Sequence, residues 1–558
     1  MSSEAAKAPV AIVGLACCYP GAHNPTQFWE NILARRRQFR RLPDCRLPLA
    51  DYHHPDPAAA DKTYAKRAAV IDGFEFDWAA RRIPLSTFRS CDIAHWLALE
   101  TALGAIADAG YRRDTIPNNR TGVIVGNTLT GEQTRANTLR LRWPFVYRAL
   151  RHAAANAGLG EERLERLATA LEAHFKSVFP PVSEDTLAGG LSNTIAGRIC
   201  NYLNLYGGGY TIDGACASSL LAVATAASRL VAGDLDLAIA GGVDISLDPF
   251  ELIGFAKAGA LTHGDMTVYD RRGSGFIPGE GCGFVVLKRL ADARRDKDYV
   301  YALIHGWGIS SDGGKSAITA PSAEGQARAI KDAYAMAPYA MSALDFIEGH
   351  GTGTTVGDRT ELEGISLAMQ AAGLPAPRAC GMTSLKSIIG HTKAASGIGG
   401  LIKAVMAVHR RILPPTAACR EPHPVFDGPA RALFPIRQGE KRAEDAALRA
   451  GVAAMGFGGI NCHLTIESGD RPDSRWVPGL DERRLMASSQ QSELFVLTAE
   501  TPSALQNRLQ DLMTVAKGIS MAELTDLAAK LGQEADNGLG LRAAVTADDP
   551  DILVQHRP

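Results

Sequence analysis

Absences narrow the class of this chain before any motif is read. Its ten cysteines are scattered at positions 17, 18, 45, 91, 200, 216, 282, 380, 419 and 462, and none forms a CxxC pair. That excludes a zinc ribbon and a thioredoxin-like motif, and no metal site is expected. Neither sign of charge dominates: 59 Lys and Arg face 60 Asp and Glu. No global field therefore favours nucleic acid or an anionic membrane, and neither is expected as a partner. No secretory signal or membrane span is visible. The apolar stretch in MSSEAAKAPVAIVGLACCYPG is short and broken by glycine and proline, so it reads as a first core strand from Val10 to Leu15. In a large chain without a signal, scattered thiols read as reduced and mostly buried in a cytoplasmic protein. No GxSxG elbow appears, which leaves a serine hydrolase unsupported. By eye there is neither an internal repeat nor a low-complexity tract.

What is present is a large α/β chain. Its 558 residues exceed one ordinary domain, and 46% are hydrophobic against 21% charged. The 56 glycines suit tight loops and close backbone approaches. From residue 8 to about 468, apolar β-branched runs alternate with Gly-rich turns and Ala/Leu-rich stretches. Strands are expected at 121–126, 236–240, 283–288 and 344–348. Helices are expected at 94–109, 216–232, 323–336 and 394–410, the last buried all round. A polar, basic stretch between about 130 and 185 repeats apolar residues every three to four positions, which predicts surface helices inserted in the core fold. After Ser468 the sequence SGDRPDSRWVPGLDERRLMASSQQ reads as a linker. A strand at 493–499 and two helical stretches then begin a further, small α/β domain.

Four motifs carry chemistry. In TIDGACASSLLAVATAASRLVAGDLDLAIAGG (211–242) a strand, a turn of small residues and an Ala-rich helix follow one another, and Gly233 is placed to end the helix. Cys216 falls at the helix start among Gly214, Ala215, Ala217 and Ser218, which leave room for an acyl chain. The partial positive charge there is expected to hold a thiolate, lowering the cysteine pKa from about 8.5 to roughly 3.5–7.5. In FIEGHGTGTTVGD (346–358) a strand delivers His350 into a loop of glycines and threonines, and Asp358 is expected to close that loop. In SLKSIIGHTKAASGIGGLIKA (384–404) His391 precedes a helix, with Lys386 five residues upstream. In GVAAMGFGGINCHLTIE (451–467) two apolar runs flank the turn Gly456-Phe457-Gly458-Gly459, whose N–H groups are material for an oxyanion hole. Cys462 and His463 are expected in the outgoing strand, without a role.

These motifs, in this order, resemble the β-ketoacyl synthase domain of polyketide and fatty-acid synthases, a branch of the thiolase-fold condensing enzymes. VAIVGLACCYPGA and TIAGRICNYLNL (194–205) fit the same family. Segments 126–146, 184–201, 244–262 and 275–287 resemble the ketosynthase that opens iterative type I polyketide synthases of enediyne biosynthesis. The resemblance implies a five-layer αβαβα sandwich of two similar halves, at about 8–260 and 261–468, and a homodimer. It implies Cys216, His350 and His391 as catalytic residues, with Cys216 and Phe457 N–H groups as the oxyanion hole and Phe457 as a gate over the acyl channel. Lys386 would orient a histidine, Asp358 would be structural, and Thr352, Thr354, Gly456, Gly458 and Gly459 would form the substrate-facing loops.

The implied reaction is a decarboxylative Claisen condensation. An acyl chain passes from the phosphopantetheine of an acyl carrier protein to Cys216, and malonyl carrier protein then loses CO2 and attacks it. No tightly bound cofactor is implied; the partners are the carrier protein and other synthase domains. Lys393 departs from a common family pattern, since many members carry glutamate after the GHT triplet and others carry lysine. Two alternatives stay open: a ketosynthase of another polyketide synthase class, and a non-condensing decarboxylase or chain-length partner. Retention of Cys216 with both histidines speaks against the second, and against a binding module with a degenerate site. No acyltransferase serine motif, phosphopantetheine attachment site or nucleotide-binding fingerprint is visible. The chain is therefore expected to be the N-terminal piece of a larger iterative synthase, ending within a ketosynthase–acyltransferase linker.

Overall fold

The computed structural model describes residues 8–314, 317–373, 376–443, 447–469, 492–535, 538 and 540–555. The first half contributes strands β1 (Val10–Cys18), β2 (Thr121–Gly126), β3 (Gly209–Ile212), β4 (Leu237–Asp244) and β5 (Gly281–Arg289). The second contributes β6 (Ala302–Ser311), β7 (Phe346–Glu348), β8 (Cys380–Thr383), β9 (Leu433–Pro435), β10 (Arg449–Gly456) and β11 (Ile460–Ser468). They form one sheet in the order β9-β8-β7-β10-β11-β6-β1-β5-β4-β2-β3. With the outer strand β9 set aside, each half reads third-second-fourth-fifth-first from its edge inward. The parallel and antiparallel pairs match as well. The halves join where Val10–Ile12 run antiparallel to Ala302–Ile304. A repeat invisible in the residues is therefore explicit in the topology. The expected boundary near residue 260 is too early, because β5 pairs with both β1 and β4 and completes the first half's sheet.

Helices complete the sandwich. Helix α1 (Ile93–Asp108) covers the outside of the first half. Three helices, α2 (Glu132–Leu141), α3 (Trp143–Asn156) and α4 (Glu161–Ser177), form the insertion, which buries few side chains beyond Asn137, Trp143, Ala154, Leu164 and Ala168. Helix α5 (Ser218–Val231) is central; α6 (Pro249–Lys257) follows, and α7 (Ala323–Met336) and α8 (Thr355–Ala371) cover the second half. Helix α9 (Ser396–Arg410) packs on α5 between the halves and is buried on every side from Ser396 to His409. That burial needs small residues where the helices meet: a Cβ on Gly397 would lie 3.0 Å from the Leu220 nitrogen. Each central helix is preceded by a 3-10 turn, Ala215–Ala217 or Lys393–Ala395, so each α-helix starts slightly later than expected. Gly233 (φ 80) does end α5, with the Asp234 N–H donating to the Arg229 carbonyl.

The strand expected at 493–499 is β12 (Glu493–Ala499), paired antiparallel with β13 (Leu541–Ala547). Helices α10 (Pro502–Ala516) and α11 (Glu523–Glu534) close a separate small core around Phe495, Leu497, Leu512 and Leu524. Ion pairs of Arg67 with Asp549 and Asp551, and of Arg40 with Glu523, tie this unit to the larger one. Most of the expected linker, 470–491, lies outside the described residues. Among the described residues no helix is long and apolar enough to cross a membrane.

Candidate active site

Cys216 sits in the tight turn between β3 and α5. Ala215 adopts φ 49, a left-handed conformation that costs an L-residue about 1–3 kcal/mol and persists only when its surroundings fix it. The fixing bonds are local: Ala215 N–H donates to Asp213 Oδ1 (2.9 Å) and Gly214 N–H to Ser218 Oγ (2.9 Å). From the other half, Ser396 Oγ donates to the Cys216 carbonyl (3.2 Å). The thiol is 8% exposed. Burial pushes its pKa up to about 12, against the pull of Lys386 and Lys393. The expected thiolate is thus not the resting form. Enclosure between the halves works against the partial charge that the N-terminal end of α5 offers.

Two carboxylates on the first turns of α8 shape the His350 loop. Glu361 accepts the N–H groups of His350 (2.6 Å) and Gly351 (2.8 Å), and Asp358 accepts those of Thr352 and Gly353 (2.9 Å each). Tyr269 binds both, its N–H donating to Asp358 (2.7 Å) and its hydroxyl to Glu361 (3.0 Å). Asp358 therefore does close the loop; burial raises its pKa to about 7. The two rings are then set by main-chain donors. Met455 N–H donates to His350 Nδ1 and Lys393 N–H to His391 Nδ1, both at 3.2 Å. With Nδ1 an acceptor, each neutral ring carries its proton on Nε2. Burial and the Lys386 ammonium hold both imidazoles well below their ordinary value, so they are neutral at physiological pH. Lys386 itself, buried in the turn Lys386–Ile389, is lowered by burial against the pull of Glu348 and Glu361.

Cys216, His350 and His391 line one cavity of about 500 Å³. The histidine rings meet edge to face, 5.4 Å between centroids. Thr352, Thr354, Asp358, Gly456, Phe457 and Gly459 also line it. Gly458 does not; its N–H donates to the Ile318 carbonyl (3.2 Å). The hairpin turn can lie over Cys216 because residue 456 has no side chain: a Cβ there would stand 2.2 Å from the Gly214 carbonyl oxygen. Within the described residues the N–H groups of Cys216 and Phe457 make no hydrogen bond. The Phe457 ring is 46% exposed and packs on Phe255 (5.9 Å), which packs on Phe276 (5.3 Å), which packs on His391 (4.9 Å). Cys462 and His463 lie buried in β11 as expected.

Several residues of the site were not singled out in the sequence. Glu361 had one signal, its i+3 spacing from Asp358 on a helix face. Tyr269, Phe255 and Phe276 had none, since only the tertiary fold brings them to the cavity.

A thiol and two neutral imidazoles facing one cavity between two topologically equivalent halves define a thiolase-like condensing enzyme. The family models for the N-terminal and C-terminal domains of beta-ketoacyl synthase match residues 7–293 and 301–420, and the chain belongs to that family. It is 31% identical over 553 residues to polyketide synthase PksL of Bacillus subtilis, covering 98% of this chain and 11% of that protein. It is 32% identical over 523 residues to a polyunsaturated fatty acid synthase of Thraustochytrium, covering 90% of this chain and 18% of that protein. The chain thus spans less than a fifth of the length of either relative. The solved ketosynthase from module 6 of the bacillaene synthase of Bacillus subtilis aligns with TM-score 0.69 at 29% identity, over 98% of this chain and 84% of that one. Ketosynthase domains of this family are acyl-transferring condensing enzymes.

Proposed function

We propose that this chain is the condensing domain of a polyketide synthase, extending a Cys216-bound acyl chain with malonyl units delivered by an acyl carrier protein. One observation carries the reading: Cys216, His350 and His391 share a cavity in which both imidazoles are neutral with the proton on Nε2. In the first half-reaction the Cys216 sulfur attacks the acyl thioester. The carrier's phosphopantetheine sulfur leaves and takes up the proton the Cys216 thiol gives up. The unengaged N–H groups of Cys216 and Phe457 receive the oxyanion; losing one such donor costs about 2.7–4 kcal/mol of barrier. In the second, malonyl thioester loses CO2, and the two Nε2–H groups donate to the resulting enolate oxygen without a full cation beside it. The enolate carbon attacks the acyl carbonyl, and Cys216 leaves and regains a proton. Lys386 adds positive charge behind the histidines, near the departing carboxylate. Phe457, on a glycine-flanked turn, gates the acyl channel. Residues 1–468 form the condensing domain, and 469–558 a linker and a small unit of ketosynthase–acyltransferase linker type.

The finer reading is an iterative synthase of enediyne type making a polyene precursor, working as a cytoplasmic homodimer. It is supported by the four segments quoted above; relatives 31–32% identical to this chain include synthases of other kinds. A second reading, a ketosynthase of a modular synthase, is favoured by the likeness to the bacillaene module. Mass spectrometry of carrier-bound products separates them. Given malonyl carrier protein, a short primer, reductase, dehydratase and NADPH, the iterative enzyme returns a series of polyene chains, and a modular one stops after one extension. The condensing reading itself fails if intact mass shows no acyl group on Cys216 after exposure to an acyl thioester.

A further inference from the structure

Lys393, two residues after His391, points away from the cavity into the protein. Its side chain is 3% exposed, and an ammonium so buried is tolerated only when paired and hydrogen-bonded. Its Nζ stands 3.0 Å from Asp244 Oδ1 and 3.6 Å from Glu251 Oε2, and donates to the carbonyls of Ser246 (2.8 Å) and Gly279 (3.2 Å). Asp244 Oδ2 accepts the Ala394 N–H (3.2 Å), so one carboxylate holds both the ammonium and the next backbone unit. The cage continues outward: Glu251 and Asp248, at the start of α6, pair with Arg135 of insertion helix α2. The Lys393 backbone is left-handed (φ 48), and in that conformation its N–H turns back onto His391 Nδ1. A lysine adopts it only under constraint, and the caged ammonium supplies one.

We propose that Lys393 is a positioning residue: its anchored ammonium holds the 391–393 turn so that the Lys393 N–H keeps the His391 proton on Nε2, facing the enolate. This rests on the proposed role of His391. The step that uses that proton is malonyl decarboxylation, whereas acyl transfer to Cys216 uses the thiol and the backbone donors. Lys393→Met is therefore expected to lower kcat for decarboxylation of malonyl carrier protein about 10- to 100-fold, the size of a misplaced catalytic group, with KM within about threefold. Acylation of Cys216, followed by intact mass, should fall by no more than about threefold, the part due to losing the Lys393 charge that favours its thiolate. A merely structural lysine would lower both half-reactions by the same factor, as lost active enzyme does, and that result or an unchanged decarboxylation rate overturns the proposal. Should Lys393→Met fail to fold, Arg135→Met at the outer end of the cage is measured instead. It should show the same selective loss, decarboxylation falling about tenfold while acylation falls no more than about threefold, and equal loss in both steps counts against the proposal. His391→Ala runs alongside: parental decarboxylation in that variant removes His391 from the mechanism, whereas its loss with Lys393→Met unaffected sinks the present inference alone.

Discussion

The two central turns of the molecule, one ahead of each buried helix, are built alike and used differently. Ala215 (φ 49) and Lys393 (φ 48) begin equivalent 3-10 turns, and Cys216 and Ala394 follow them at the same step. Each turn packs on the end of a strand from the opposite half: Gly456 of β10 on the Cys216 turn, and Asp244 of β4 on the Lys393 turn. Where the strand ends in glycine, its backbone packs directly on Gly214 and the thiol faces the cavity. Where it ends in aspartate, the space is filled by a buried ion pair. One backbone device thus yields a reactive site in one half and a rigid support in the other, and the difference lies in the residue at the strand end.

The most complete way to break the comparison is to remove the thiol. Cys216→Ala should form no acyl adduct at all by intact mass, while urea unfolding stays within about 1 kcal/mol of the parent. An adduct on another cysteine would show that the open turn is not the one acylated. The opposite turn should instead respond in stability. Asp244→Ala leaves the Lys393 ammonium short of its nearest carboxylate, and breaking such a buried pair costs about 3–5 kcal/mol. A loss below about 1 kcal/mol in urea unfolding would mean that the cage does not depend on the pair.

The state of the thiol sharpens the contrast further. A group whose pKa stands near 12 gains thiolate tenfold per pH unit at every lower pH. Iodoacetamide labelling of Cys216 should therefore rise about 100-fold from pH 7 to pH 9 without levelling. A plateau below pH 8 would restore the thiolate expected from the helix start and show that the enclosure is looser than the structure has it.

Burial works against that expectation for an instructive reason. A cysteine before an Ala-rich helix is legible in sequence because peptide dipoles are local, but the burial that overrides them comes from the other half of the chain, over a hundred residues away. The four motifs, the main strands and the all-round burial of α9 were legible for the same local reason: each is a run of residues with its own pattern. The repeat was not. Its two copies keep backbone conformation and strand order while exchanging alanine for lysine and glycine for aspartate, and the identities they keep, Ala217 with Ala395 and Ser218 with Ser396, are residues too common to mark it. The half boundary was not legible because the pairing of β5 with β1 and β4 is a contact between distant segments. Tyr269, Phe255 and Phe276 reach the site only through the tertiary fold.

The smallest expected effect tests whether the left-handed turn is a cost common to both halves. Ala215→Gly removes the Cβ that makes φ 49 unfavourable, and the relief is partly offset by the extra freedom glycine gives the unfolded chain. The net change should lie between about zero and 1 kcal/mol of stabilisation, because glycine takes positive φ readily and no hydrogen bond uses the Ala215 side chain. Acylation of Cys216 should persist within about threefold, since Asp213 and Ser218 still hold the turn. Lys393→Gly gives the same backbone relief but discards the caged ammonium, so it should destabilise by several kcal/mol, on the order of a broken buried pair. The difference between the two substitutions, read from urea unfolding, isolates what the lysine side chain adds to a turn that both halves share. If Ala215→Gly proves as costly as Lys393→Gly, the turns are held by their β-carbons rather than by their partners, and the proposed division between an open and a caged turn falls.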